Sequence, residues 1–352
     1  MHPFEMTRAL IDLESITENE KRVGEYLLRY LADLTARTGG KAEAMAVTPE
    51  RFNVYAEWGA PMVVLSTHMD TVPPFIPSSE DDENIYGRGS CDAKGIIAAM
   101  IAAAERLLER GTRNFGLLFV VGEERNSAGA EVAARQPRGS RYLINGEPTE
   151  SKVALGSKGI ARYELVATGK MAHSAYPHLG ESAIEKLLDA LESIRRIELP
   201  GDPLLGQTTL NIGTISGGRA PNIIPDAAKA ELAIRLVSDA REIDSALRAA
   251  IGARAELKEI LALPAMHFAA LDGFPTSVVA FTTDIPVLVP SWGEPFLFGP
   301  GSIHVAHTTQ EKISKQELLA AVNIYAQMTL MLLHRAETSA APSSSLPKQT
   351  HA

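Results

Sequence analysis

Cysteine is almost absent: Cys91 is the only one in 352 residues. One thiol cannot close an internal disulfide, which excludes a stapled secreted scaffold and fits a reducing compartment. Long apolar runs are missing too. The longest, residues 96–104, spans nine positions, and a membrane helix needs about 20. Positive charge is in deficit, with 34 Lys and Arg against 43 Asp and Glu and a net charge of −9. Without a basic run, nucleic acid is excluded as an expected partner. No basic stretch followed by an apolar core opens the chain (MHPFEMTRAL), so no secretory signal is expected. What is present is ordinary globular composition, 45% hydrophobic and 22% charged. The expectation is a cytoplasmic protein of two domains, with no membrane or nucleic-acid partner.

Thr17 and Glu20 form a capping-box pattern, after which Val23, Leu27, Leu31 and Leu34 recur at helical spacing. Apolar β-type runs then alternate with helices: 62–67, an Ala-rich helix over 94–110, then 116–121 and 142–145. That alternation predicts an α/β domain, a mostly parallel sheet with helices on both faces. From residue 156 the texture changes to strand 159–168, helix 181–197, strands 208–215 and 227–237, helix 240–253 and strand 257–263. The order β-α-β-β-α-β is a split βαβ (ferredoxin-like) α+β unit with an antiparallel sheet. Beyond His267 the first texture returns and ends in a helix over 315–333. The expected division is 1–155 with 266–337 as a discontinuous catalytic domain, 156–265 as an insertion, and 338–352 as a disordered Ser/Pro-rich tail.

Three of the inferred parallel strands run directly into metal-binding residue types. Residues 62–67 lead to His68 and Asp70, 116–121 to Glu123 and Glu124, and 142–145 to Glu147. Ligands of open α/β sheets sit at the carboxyl ends of the strands. Asp92, in the Gly-flanked loop GRGSCDAKG before a helix, meets the same edge. Carboxylates and an imidazole converging there repel unless a cation holds them. One His with several carboxylates suits zinc, with cobalt or manganese as alternatives. The loop is not a phosphate loop, because Lys94 is followed by Gly95 rather than Ser or Thr.

The segments STHMDTVP, YGRGSCDAKG, VVGEER, INGEPT, GKMAHSAYPH, APNIIPDAA and FGPGSIHVAHTTQE together resemble one family over nearly the whole chain. It is the dinuclear zinc amidohydrolases and metallopeptidases that include acetylornithine deacetylase, succinyl-diaminopimelate desuccinylase, aminoacylase and the glutamate carboxypeptidases. The resemblance implies a zinc-peptidase-like fold and two divalent metal ions per subunit. It implies that His68 and Glu147 bind one metal, Glu124 and His307 the other, and that Asp92 bridges them. His304, three residues earlier, competes with His307, whose Ala-His-Thr setting matches the family pattern. Glu123 would be the general base, and Asp70 would accept the second ring N–H of His68 and fix its tautomer.

The resemblance also places residues of the insertion. His173 would reach a neighbouring subunit's active site and stabilise the oxyanion, making 156–265 a lid and homodimerisation domain. Asn222 and Arg235 would lie near the substrate's carboxylate, which an Arg fork suits. Backbone N–H groups of the loop around Gly301 would serve the same carboxylate. The motifs GRG-x-CD-x-KG and GEPT lean towards acetylornithine deacetylase, hence towards N-acyl amino acids and arginine biosynthesis. Succinyl-diaminopimelate desuccinylase, acetyl-lysine deacetylase and a carboxypeptidase or dipeptidase on short peptides are the alternatives within the class. A non-catalytic binding protein on the same scaffold is the rival from another class. Against it stands the retained Glu123, the residue a degenerate site would most readily lose.

Overall fold

Val63–His68 and Phe115–Val120 are buried at every position, because alternate side chains serve two different cores. Val63, Leu65, Leu117 and Phe119 join residues of the helices Lys21–Thr38, Lys94–Glu109 and Lys315–Ala340. Val64, Leu118 and Val120 join Tyr55, Ala130, Ala133 and Trp292. A strand sends successive side chains to opposite faces, so burial at every position marks a sheet covered on both sides. This is a computed structural model, and it describes residues 1–340.

The chain divides into two units. The first comprises Met1–Val153, Ala269–Pro275 and the chain from Val287 onwards; the second comprises Ala154–Phe268 and Thr276–Pro286. In the first, the strand order is Lys41–Thr48, Arg51–Trp58, Phe115–Val120, Val63–His68, Tyr142–Asn145, Glu294–Leu297. The last three pairings in that order are parallel and the first two antiparallel. The apolar run 96–104 lies within Lys94–Glu109, where buried residues surround the helix axis, as a helix apolar all round requires.

The second unit carries a four-stranded antiparallel sheet, ordered Thr209–Gly217, Ala227–Leu236, Gly159–Thr168, Glu256–Leu263. Ala161, Tyr163, Leu165, Ala230, Leu232 and Ile234 form one face, packed on Leu187, Leu191 and Leu247 of the helices Ala183–Arg195 and Ala240–Ile251. Those helices begin at side-chain caps, Ser182 and Asp239, which accept from the Glu185 and Arg241 amides. Thr209–Gly217 is the sheet's edge and is exposed at most positions.

Several expectations change. Thr17 does not cap the second helix, which starts at Lys21 after Glu20 with no side-chain cap. The Thr17 hydroxyl instead donates to Asp70 Oδ2 at 2.8 Å. The Glu20 carboxylate is taken by Arg51 at 2.6 and 2.7 Å, so neither group is left for a box. Residues 276–286, expected with the first unit, group with the second, where Thr282 donates to the Lys158 carbonyl at 3.0 Å. The first three residues of the tail expected from Thr338 are helical instead. Helix continues to Ala340, and the Thr338 hydroxyl donates back to the His334 carbonyl at 3.1 Å; the rest of that tail lies outside the described residues. No helix among the described residues is long and apolar enough to cross a membrane.

Candidate metal centre

Each strand end delivers its side chain by a distinct local device. His68 is the last residue of its strand, with its ring buried. Beyond Phe115–Val120 the chain turns through Gly122 at φ +81. That conformation favours glycine, and a Cβ there would sit 2.9 Å from the Arg51 guanidinium. The turn puts Glu123 and Glu124 side by side. Beyond Tyr142–Asn145, a Cβ on Gly146 would come within 2.4 Å of Ile96 and 2.6 Å of Met100. Glycine is what lets that strand end close onto the Lys94–Glu109 helix and carry Glu147 to the edge. His307 stands at φ +62, a left-handed conformation uncommon for a non-glycine residue. Such residues persist where the surroundings over-determine them, and functional sites collect them.

These devices bring the side chains together around Asp92. His68 Nε2 lies 3.0 Å from Asp92 Oδ1 and 3.9 Å from Glu147 Oε2. His307 Nε2 lies 3.2 Å from Asp92 Oδ2 and 3.0 Å from Glu124 Oε1. One oxygen of Asp92 therefore faces each histidine, with Glu147 on the His68 side and Glu124 on the His307 side. Donor atoms of His68, Asp92 and Glu124 all lie within 4.8 Å of one another. It is His307 rather than His304 that enters this cluster; the His304 amide turns to the Ser302 hydroxyl.

The electrostatics ask for positive charge. Burial by itself would raise the Asp92 carboxyl, yet the His307 and His68 imidazoles outweigh it and hold it below the usual carboxylate range. His307 is pushed up to about 10 by its contacts with Asp92 and Glu124. Burial raises Glu124, and the neighbouring Asp92 charge adds to that. Acids crowded about two imidazoles that favour their cationic form are the surroundings of a cation site. Two imidazoles with three carboxylates are also a donor set that fits divalent ions such as zinc. The residues present thus fit a metal pair that shares Asp92.

Behind the cluster, Asp70 does more than expected. His68 Nδ1 lies 3.1 Å from the Asp70 main-chain oxygen and 3.5 Å from its Oδ1, so the carbonyl is the nearer partner for the ring. The Asp70 carboxylate also clasps the turn that carries Glu123 and Glu124, accepting the Glu123 amide at 3.2 Å and the Glu124 amide at 3.3 Å. Asn53 secures the same turn by accepting the Val121 amide at 3.1 Å. Sequence reading took Thr17 only for a helix cap, and it missed Asn53 and Glu311, whose carboxylate receives the backbone of the Asp92 loop. Glu311 closes the segment FGPGSIHVAHTTQE, and a lone acid four residues after His307 was the available signal.

The other expected residues fall in separate places. Gly301 lies against the Asp92 loop, where a Cβ would meet Cys91 Cβ at 2.8 Å. The neighbouring Gly299 amide donates to Thr149 Oγ1 at 3.0 Å, so that N–H is committed and is not offered to a substrate carboxylate. In the second unit, His173 pairs with Ile223, and the Asn222 carbonyl accepts the Ser174 amide at 3.0 Å. His173 and Asn222 are therefore neighbours, both exposed. Arg235 is half-buried and donates to Thr282 Oγ1 at 3.5 Å; no carboxylate pairs with it among the described residues.

Comparison with known proteins shows the family. Residues 64–331 match the model of "Peptidase family M20/M25/M40". A "Peptidase M20 domain-containing protein" of Schizosaccharomyces pombe is 39% identical over 335 residues, covering 92% of this chain and 83% of the relative. A "Probable carboxypeptidase" of Aspergillus niger is 38% identical over 371 residues, covering 94% and 89%. Among solved structures, an aminopeptidase of Bacillus cereus superposes with a TM-score of 0.78 at 23% identity, covering 94% and 98%; at that identity it speaks for the fold. The chain belongs to the M20/M25/M40 peptidase family.

Proposed function

We propose that this M20-type hydrolase is a two-metal carboxypeptidase or dipeptidase that cleaves short peptides ending in a free α-carboxylate. The observation that carries the reading is Asp92, with one carboxylate oxygen turned to each of two histidines at 3.0 and 3.2 Å. His68 and Glu147 would hold one ion, Glu124 and His307 the other, and Asp92 both. When bound, such a pair supplies Lewis-acid polarisation of the scissile carbonyl and a lowered pKa for the attacking water. Zinc suits the donors, with cobalt and manganese as substitutes. A Glu123 carboxylate oxygen would take the proton from that water and return it to the leaving amine. Curated relatives named as carboxypeptidases, such as that of Aspergillus niger, favour peptides over N-acyl amino acids. None of the relatives described above is named for acetylornithine. Zinc-loaded protein assayed on blocked dipeptides, N-acetyl amino acids and N-succinyl amino acids tests the choice. Faster turnover of an N-acyl amino acid than of every peptide would reverse it.

Arg235 is the group proposed to read the carboxylate, since it is half-buried and has no acid of its own among the described residues. Hydrogen bonds to charged groups contribute about 1.5–3 kcal/mol, so Arg235→Ala should raise KM roughly 10- to 100-fold. Lys at this position should rescue only in part, having no planar fork. Equal hydrolysis of a peptide and its methyl ester would rule out carboxylate reading.

His173 is proposed to stabilise the oxyanion in a partner subunit of a homodimer formed through the second unit. In support, Thr209–Gly217 is an exposed antiparallel edge, and Ile215 on it is 56% exposed. Such an edge is a template for pairing with a second copy. Inactive His173→Ala and Glu123→Ala proteins, dissociated and reassociated together, should regain activity at the site built from one intact residue of each. A mixture that stays dead, or a fully active monomer, would refute the trans arrangement.

A further inference from the structure

We propose that Glu311 is a positioning residue for the shared metal ligand: one buried carboxylate gathers the loop that carries Asp92 and ties it to the loop that carries His307. The inference rests on the two-metal reading above. Glu311 Oε1 accepts the backbone amides of Gly89 at 2.9 Å, Cys91 at 3.3 Å and Asp92 itself at 3.3 Å. Its Oε2 accepts Arg88 Nη1 at 2.5 Å, and its main-chain carbonyl accepts the Gly87 amide at 3.1 Å. Both charged side chains are out of solvent, Arg88 at 1% and Glu311 at 0% exposure.

Five residues of the Asp92 loop, Gly87, Arg88, Gly89, Cys91 and Asp92, thus converge on one residue that follows His307 by four positions. The Asp92 amide is held from one side while its carboxylate reaches His68 and His307 on the other. Fixing the backbone at Asp92 fixes how its two oxygens are shared. A carboxylate is required here by hydrogen-bond arithmetic. Oε1 faces three N–H donors and Oε2 faces a guanidinium, so every partner is a donor. Glutamine has the same shape but only one acceptor oxygen. Whichever way its amide turns, an N–H meets either Arg88 or the three loop amides.

Outer partners of metal ligands commonly govern 10- to 100-fold in metal affinity. Glu311→Gln should therefore weaken uptake of the second ion by about that factor while leaving the first nearly unchanged. The readout is manganese: calorimetric titration for the two affinities, and low-temperature electron paramagnetic resonance at full loading for the coupling between two ions that share a carboxylate. The wild type should show coupled ions and Glu311→Gln isolated ones. The double variant E311Q/R88M removes the guanidinium, letting the glutamine oxygen turn to the three amides, and should recover the coupling. A merely structural loss would be deepened by the second buried change and would lower the melting temperature without altering the spectrum. Unchanged affinities and coupling in Glu311→Gln, or a double variant no better than the single one, would overturn the proposal while the metal reading stands. Wild-type protein that takes up no manganese would overturn both.

Discussion

Glu123→Gln is expected to keep both metal ions and lose kcat by on the order of 10²–10⁴-fold, the usual worth of a positioned general base. The substitution preserves shape and removes only the ability to accept a proton. Its neighbour gives the contrast. Glu124 Oε1 lies 3.0 Å from His307 Nε2, inside the donor cluster, so Glu124→Gln should lower metal content as well as rate. The backbone keeps the two roles apart. Asp70 binds the Glu123 amide with one oxygen and the Glu124 amide with the other, which fixes two adjacent side chains on one turn. Metal analysis beside steady-state kinetics separates the variants. Two mutants alike in both measurements would show that the pair is wrongly divided.

What was legible in the sequence was the part that follows from periodicity and strand ends. The runs ending in His68, Glu123-Glu124 and Glu147 are parallel strands or lead straight from them, and their carboxyl ends share one edge. The β-α-β-β-α-β order of the second unit was equally readable, since alternate residues from Gly159 to Thr168 are buried. Contacts that join distant segments were not legible. Thr17 has the chemistry of a helix cap, and nothing local reveals that Asp70, 53 residues on, takes its hydroxyl. Glu311 reads as one more surface acid until the chain folds it onto a loop 219 to 223 residues away. The strand Lys41–Thr48 escaped notice because Ala fills so many of its positions and Met45 alone is buried. Glu294–Leu297 is four residues with a proline in it, too little pattern to announce a strand.

The central position of Asp92 gives the largest expected loss of metal. His68 and His307 each hold a contact to a different oxygen of this one side chain. Removing Glu147 or Glu124 should empty one side and leave the other, whereas Asp92→Ala removes a donor from both. Metal content should fall from two ions to less than one. The affinity loss should exceed the ~100-fold that marks the upper end for outer partners of a ligand. Asp92→Asn refines the test, because an amide keeps one acceptor oxygen and loses the negative charge. It should retain a single ion, on whichever side its oxygen faces, and no measurable coupling. Activity should be lost in both variants, since on the two-metal reading the pair would polarise the carbonyl and activate the water. Elemental analysis after dialysis decides the matter. If Asp92→Ala keeps two ions at wild-type affinity, Asp92 does not bridge, and the two histidines belong to separate sites.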